Sequence, residues 1–222
     1  EKLVATRSDA VIATSEIVKQ DLLDIGVPLE KIFVVPNAIE DYWFNRHPLT
    51  LSEKPESIFL GRIGADAFTL KLKGIDRLID YYQHFPSVEK HTIGITTNKP
   101  LVDWCNHHVK NHHFHANIKK NRIPDLLSDK AGSILLITSR YEGFSLSLIE
   151  GMSQGLIPVT YPVGIAPEII QNGQNGFLVH SQKEGVNIIE RLLNLPKEKR
   201  RRLAEAAQET ARYFMSKTVS KQ

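Results

Sequence analysis

Short apolar runs alternate with amphipathic stretches along almost the whole chain, and this alternation predicts its elements. Near the start, Ala10–Thr14 reads as a buried strand, Glu16–Ile25 as a helix and Lys31–Pro36 as a second strand. Gly26 stands where a helix C-cap belongs. From Asn37 to Pro55 the pattern loses its period and includes Pro48 and Pro55, which predicts a hinge and linker. Further strands are predicted at Ser57–Leu60, His91–Thr96, His113–Ala116, Ser133–Thr138, Ile157–Thr160 and Gly176–Val179. Helices fill the intervals at Gly74–His84, Leu101–Lys110, Ile123–Leu127, Phe144–Gln154, Pro167–Gln171, Glu184–Leu193 and Glu198–Tyr213. Strict alternation of strand and helix predicts an α/β fold, a Rossmann-like parallel sheet with helices on both faces. Such sheets bind ligands beyond the carboxyl ends of their strands, where the strand order reverses. Arg62 and Glu142 fall just past predicted strand ends, and His115 near the carboxyl end of one.

Composition narrows the classes. With 222 residues the chain can bury one full core, or one core and part of another. A hydrophobic content of 41% and a charged content of 24% are ordinary for a soluble globular protein. The net charge of +3 is too small to suggest a nucleic-acid partner, although a mildly basic balance suits an anionic substrate. Cys105 is the single cysteine and cannot form an internal disulfide, so nothing argues for secretion. No apolar run approaches the roughly 20 residues that a membrane helix needs. The expected compartment is cytoplasmic, with peripheral association at the inner face of the membrane left open.

The densest chemistry lies between Ser139 and Val179. Glu142 and Glu150 stand eight positions apart, Gly143-Phe144 follows the first, and Phe144, Leu146, Leu148, Ile149 and Met152 are apolar enough to bury the helix between them. A helix that starts this way offers one ligand a carboxylate at its mouth, free backbone N–H groups and a second carboxylate two turns on. That set can grip a sugar, a phosphate and a ribose diol together. The histidines His107, His108, His112, His113 and His115 cluster, and His108 and His112 have the i, i+4 spacing of a zinc pair. No carboxylate or cysteine completes that set, so no metal site is assigned. The chain also lacks an Asp-x-Asp triplet, a G-x-G-x-x-G after a strand and a P-loop lysine motif. Metal-dependent sugar transfer on a GT-A fold, dehydrogenase and NTPase readings therefore lack their fingerprints.

Glu142 and Glu150, with Gly143-Phe144 between them, resemble the E-x7-E motif of family 4 retaining glycosyltransferases of the group 1 type, which have the two-domain GT-B fold. Other segments occur in the order of that family. They are Ala10–Ser15, Gly26-Val27-Pro28, Val34–Ala38, Phe59-Leu60-Gly61-Arg62, Lys73-Gly74, Gly151–Val159, Glu168-Ile169-Ile170 and Asn175–Val179. Three features depart from the family's pattern: a long Arg62–Lys73 loop, His115 where glycine is common, and Ile165 after Gly164. The resemblance implies residues 1–40 as the remnant of an N-terminal Rossmann-like domain with its hinge, and 41–56 as a linker. Residues 57–197 would form the nucleotide-sugar donor-binding domain, and 198–222 a C-terminal helix and tail whose apolar residues pack back on Val11–Ile12. The chain starts inside an element, with no initiator Met and one β-α-β unit before the hinge. It therefore reads as a fragment, missing most of an N-terminal domain and expected to bind donor weakly and turn over little.

The resemblance also assigns roles. Arg62 and Lys73, which on residue type alone read as solvated surface charges, become the diphosphate clamp beside Gly61 and Gly74. Glu150 becomes the acceptor for the ribose diol and Glu142 the partner of donor-sugar hydroxyls near the reacting carbon. Gly143, Phe144 and Ser145 would meet the sugar or β-phosphate, and His115 to Ile118 would line the base. The implied activity moves a hexosyl unit from a UDP- or GDP-sugar to a glycan, lipid or protein acceptor, with retention, in polysaccharide or glycoconjugate synthesis. It needs no metal and no other cofactor. Two other classes stay open: a nucleotide-sugar epimerase on the same fold, and a non-catalytic partner subunit of a glycosyltransferase.

Overall fold

A helix at Lys2–Arg7 (α1), which the apolar pattern does not announce, opens the computed structural model; the structure describes residues 2–44 and 48–219. Val11–Ala13 (β1), Glu16–Asp24 (α2) and Ile32–Val34 (β2) follow as a small βαβ unit with two parallel strands. Its own core gathers Ala13, Val27 and Ile32. Gly26 ends α2 as expected: at φ +89° it turns the chain so that its N–H reaches Leu23 O at 2.9 Å and that of Val27 reaches Leu22 O at 3.0 Å.

The described residues of the 41–56 stretch, 41–44 and 48–56, are largely irregular but not loosely held. Trp43 and Leu51 are buried, and the Gln154 amide donates to Trp43 O at 2.6 Å. Buried Arg200 secures the far end, donating from one terminal nitrogen to Ser52 O and Glu53 O at 3.1 Å each.

The main sheet has six parallel strands. In chain order they are Ser57–Ile63 (β3), Lys90–Thr96 (β4), His112–Ala116 (β5), Ile134–Ile137 (β6), Ile157–Thr160 (β7) and Phe177–Leu178 (β8). Their spatial order is β5-β4-β3-β6-β7-β8, so the winding reverses between β3 and β6. Helices cover both faces, which requires the central strands to be apolar on both sides; all four residues of β6, Ile-Leu-Leu-Ile, are buried. The helices are Ala67–Leu72 (α3), Ile75–His84 (α4), Lys99–His108 (α5), Ile123–Leu126 (α6), Leu146–Ser153 (α7), Ala166–Ile169 (α8), Gln182–Leu193 (α9), Lys197–Arg212 (α10) and Ser216–Val219 (α11). None of the described helices is long and apolar enough to cross a membrane.

Four expectations change. The Arg62–Lys73 stretch is not a plain loop, because Asp66 caps α3 by accepting from Thr69 N at 2.9 Å. Strand β3 runs three residues beyond Leu60, because β4 continues beside it and pairs Gly61 with Gly94 and Arg62 with Ile95. Arg62 therefore lies inside a strand, and His115 lies inside β5. The last long helix does not pack on Val11–Ile12. Leu203, Ala207, Ala211 and Phe214 join the main core with α7 and β7, while Ile12 is exposed and Val11 belongs to the N-terminal core.

A polar network sits toward the amino ends of the strands. His112 Nε2 lies 2.9 Å from Thr92 Oγ1, which lies 3.1 Å from the Tyr82 hydroxyl. Glu56 pairs with His91 at 2.8 Å and Lys130 at 3.2 Å. Burial, reinforced by neighbouring positive groups, pushes the His112 pKa from the usual 6.5 down to about 4. Burial alone would raise that of Glu56, but its bonds to His91 and Lys130 outweigh it and lower it.

Both shifts have the same consequence. Folded His112 binds fewer protons than unfolded His112 between those two values. Its contribution is complete above pH 6.5 and lost as pH falls toward 4; Glu56 adds a loss in the same direction at the acid end. Urea titrations should show stability falling by on the order of 2–3 kcal/mol between pH 7 and pH 4.5. His112→Leu should flatten that slope, and an unchanged slope would remove His112 from the account.

Candidate functional site

A cleft of about 160 Å³ opens at the carboxyl ends of β3 and β4, beside the reversal of strand order. β3 supplies Leu60, Gly61 and Arg62, β4 supplies Ile93, Gly94 and Ile95, the segment after β5 supplies Ile118, Lys120 and Ile123, and α7 supplies Glu150. Most of these surfaces are apolar, and the charged groups are few. Arg62 is exposed and its side chain makes no hydrogen bond or ion pair among the described residues, so its guanidinium is free for a ligand. Glu150 is held inside α7 between Leu148, Ile149 and Met152, which pack on the sheet, and only 9% of it is accessible.

Burial raises the Glu150 pKa, and the ammonium of Lys120, 2.9 Å from Oε1, partly opposes that. Lys120 also lies 2.9 Å from Glu40 Oε2. Burial works against the Lys120 charge, but its bonds to Glu40 and Glu150 prevail and its pKa is raised. For Glu40 burial likewise opposes the charge, and the Lys120 bond brings its pKa below the ordinary range.

The second half of the site lies in the β6–α7 loop. Lys73 Nζ donates to Glu142 Oε1 at 2.6 Å, and Ser139 Oγ donates to the same oxygen at 2.7 Å. The surroundings are stitched by backbone and side-chain bonds. Thr138 Oγ1 donates to Lys73 O at 3.0 Å, Arg140 N to Leu72 O at 2.8 Å, and the Arg140 guanidinium forks onto Asp76 at 2.6–2.7 Å. Gly74 is the reason this fits: it sits at φ +63°, and a Cβ there would lie 1.9 Å from Thr138 O.

Between Glu142 and α7 the chain runs through Gly143, Phe144 and Ser145. The Phe144 ring is buried edge-on against Phe214, with centroids 5.7 Å apart. Its backbone is another matter: the N–H groups of Gly143, Phe144 and Ser145 have no protein acceptor among the described residues. Ser145 adopts φ +76° without being glycine, and its buried hydroxyl has no hydrogen-bond partner among the described residues. The strained backbone at this helix start leaves several donors available to an acceptor. The Gly143 carbonyl faces the other way, accepting from Ser15 Oγ at 2.8 Å and Thr14 Oγ1 at 3.1 Å in the N-terminal unit.

Most of the sequence-predicted residues thus meet in two neighbouring groups. Gly61, Arg62, Ile118 and Glu150 line the cleft, and Lys73 pairs with Glu142 at the head of the loop carrying Gly143, Phe144 and Ser145. His115 is placed elsewhere: it does not line the cleft, and its Nε2 lies 3.0 Å from His91 Nδ1. The His108–His112 pair is split, since His108 ends α5 and His112 opens β5. No group of three or more His, Cys, Asp or Glu among the described residues is arranged to hold a metal ion. Sequence reasoning missed Lys120, Glu40, Gly94 and Ile123. Nothing in the sequence separates Lys120 from its neighbour Lys119, and the Glu40 contact spans 80 residues.

Comparison with known proteins follows this geometry. The family model described as glycosyl transferases group 1 matches residues 42–210. An uncharacterized 41.2 kDa protein in the cps region of Klebsiella pneumoniae is 26% identical over 188 residues, covering 81% of this chain and 50% of that protein. The chain thus spans about half the length of this curated relative. Sucrose-phosphate synthase from Thermosynechococcus elongatus superposes with a TM-score of 0.80 at 20% identity, over 100% of this chain and 58% of its own. HepE from Anabaena, solved with UDP and glucose, gives 0.80 at 23% identity over 98% and 63%. TarM from S. aureus, solved with fondaparinux, α-GlcNAc-glycerol and UDP, gives 0.77 at 20% identity over 98% and 43%. At these identities the structures establish a shared fold.

Replacing Gly74 tests the stitching around Lys73. Gly74→Ala should destabilise the protein by about 2–4 kcal/mol, because the clashing carbonyl belongs to the end of a central strand and cannot yield. Thermal melts would register this, and an unchanged melting temperature would show that the Lys73 turn has slack.

Proposed function

This chain belongs to the group 1 glycosyl transferases, and on that premise we propose that its cleft holds the nucleotide of a UDP-linked hexose for transfer with retention of configuration. The observation that carries the reading is the meeting of Arg62 and Glu150 in one largely apolar cleft. A base can lie against Ile95, Ile118 and Ile123, the ribose diol can donate to Glu150, and the diphosphate can reach Arg62. UDP is preferred over GDP because HepE and TarM were both solved with UDP.

In the reaction the acceptor hydroxyl attacks the anomeric carbon on the face that the nucleotide leaves. The bond from that carbon to the β-phosphate oxygen breaks, the bond to the acceptor oxygen forms, and the acceptor proton passes to the departing phosphate. Charge develops on the phosphate, and the protein answers with Arg62, Lys73 and the unspent N–H groups of Gly143, Phe144 and Ser145. Glu142, held by Lys73 and Ser139, is positioned for donor-sugar hydroxyls. The cationic groups take the part that a divalent ion plays elsewhere, so metal independence belongs to the proposal. So do an acceptor in polysaccharide or glycoconjugate synthesis, in keeping with the cps-region relative, and a cytoplasmic setting, in keeping with Cys105 being buried and unpaired.

Calorimetric titration with UDP, GDP and ADP, in EDTA and then in Mg²⁺, tests the reading. UDP should bind saturably with equal affinity in both buffers. Arg62→Ala and Glu150→Ala should each weaken it about 10-fold or more, the loss expected for one hydrogen bond to a charged group. Absence of saturable UDP binding would overturn the assignment of the cleft.

A further inference from the structure

Glu150 sits on a helix whose neighbouring residues Leu148, Ile149 and Met152 are fully buried, an environment that disfavours a charge. A protonated carboxyl gives up part of its accepting capacity, and accepting is what a ribose diol requires of it. The groups facing Glu150 are Lys120 from the segment after β5, Glu40 and Tyr42 from the segment before β3, and Arg62 from β3. Glu40 is negative and makes ionisation harder, and Tyr42 is neutral. Arg62 shares the cleft without bonding to Glu150. Among the described residues this leaves Lys120 as the cation in bonding contact, 2.9 Å from Oε1.

We propose that Lys120 is a positioning residue for nucleotide binding: anchored on Glu40, it keeps Glu150 ionised and occupies one carboxylate oxygen so that the other is left for the ribose. The inference rests on the nucleotide reading of the cleft. Two details support it. Lys120 Nζ approaches Glu150 through Oε1, at 2.9 Å, and no other side chain among the described residues bonds to the Glu150 carboxylate. Glu150 is also largely desolvated, with 11% of its side chain accessible against 43% for Lys120, so solvent screens this pair less than one in which both partners are exposed. Glu40 holds the lysine from the solvent side through both carboxylate oxygens, at 3.1 and 2.9 Å.

The test is the affinity of the 222-residue chain for UDP, measured by calorimetry from pH 5.5 to 8.5, for wild type, Lys120→Met and Lys120→Arg. Wild-type affinity should be nearly flat between pH 6 and 8. Lys120→Met should bind about 10-fold more weakly at pH 6.5 and recover as pH rises, because Glu150 then loses its proton unaided. Lys120→Arg should restore the flat profile. Wild-type affinity and pH dependence in Lys120→Met would overturn the role of Lys120 while leaving the nucleotide reading intact, and so would weakening by one factor at every pH. Failure of the wild type to bind UDP at any pH would overturn the nucleotide reading, and the inference with it. Should Lys120→Met lose its cooperative melt, Lys120→Gln is measured in the same way and the same outcomes decide.

Discussion

The structure depends on the partial separation of two neighbouring strands. β3 pairs with β4 along its whole length but with β6 only at Ser57 and Ile58. A parallel sheet that winds outward in both directions from its centre cannot pass connections between the two central strands, so their carboxyl ends part. The upper half of β3, carrying Gly61 and Arg62, is therefore paired on one side only. The cleft begins there, and α7 leaves β6 across the gap to deliver Glu150 into it.

Around that gap the protein gathers several unsatisfied donors. The core below is apolar and well paired, and the loops above are tied by directed bonds such as Thr138 to Lys73 and Arg140 to Asp76. At the mouth, the groups without a protein partner among the described residues are the Arg62 guanidinium, three consecutive N–H groups and the Ser145 hydroxyl; buried His112 Nδ1 and Arg200 Nε also lack a hydrogen-bond partner, away from the cleft. The proposed transfer would draw on these donors, since donors already fixed in place need not reorganise as charge develops. The N-terminal unit takes part as well. By binding the Gly143 carbonyl, Thr14 and Ser15 set that peptide plane, which turns the Phe144 N–H the opposite way. Glu168 completes the contact by accepting from Glu16 N at the start of α2, at 2.8 Å.

The buried charges are paired according to depth. Lys73–Glu142 lies at the rim, with 25% and 15% of the two side chains accessible, whereas Glu150 lies deeper and shares a lysine with Glu40. At the opposite end of the sheet, Glu56, His91 and Lys130 form a separate network that touches no part of the cleft. His115 belongs with that network through His91, which is why this residue, expected to line a nucleotide base, does not line the cleft.

The alternation of apolar runs was enough to read the parallel sheet, the order of strands and helices, and the C-cap at Gly26, because these follow from periodicity and local turn chemistry. Glu142, Glu150, Arg62 and Lys73 were singled out by the resemblance of their ordered segments to the family's motifs, and the fold brings them to the cleft and the loop beside it. The ends of β3 and the start of α7 were not legible in the sequence, because strand length is set by the partner strand and the helix start by the strained backbone at Ser145. Nor could Lys120 be told from Lys119, or Glu40 recognised at all. Their roles come from a contact across 80 residues, made only once the sheet has folded. Local sequence determines which elements form, whereas the pairing of a buried charge is decided by whichever distant residues the fold brings to it.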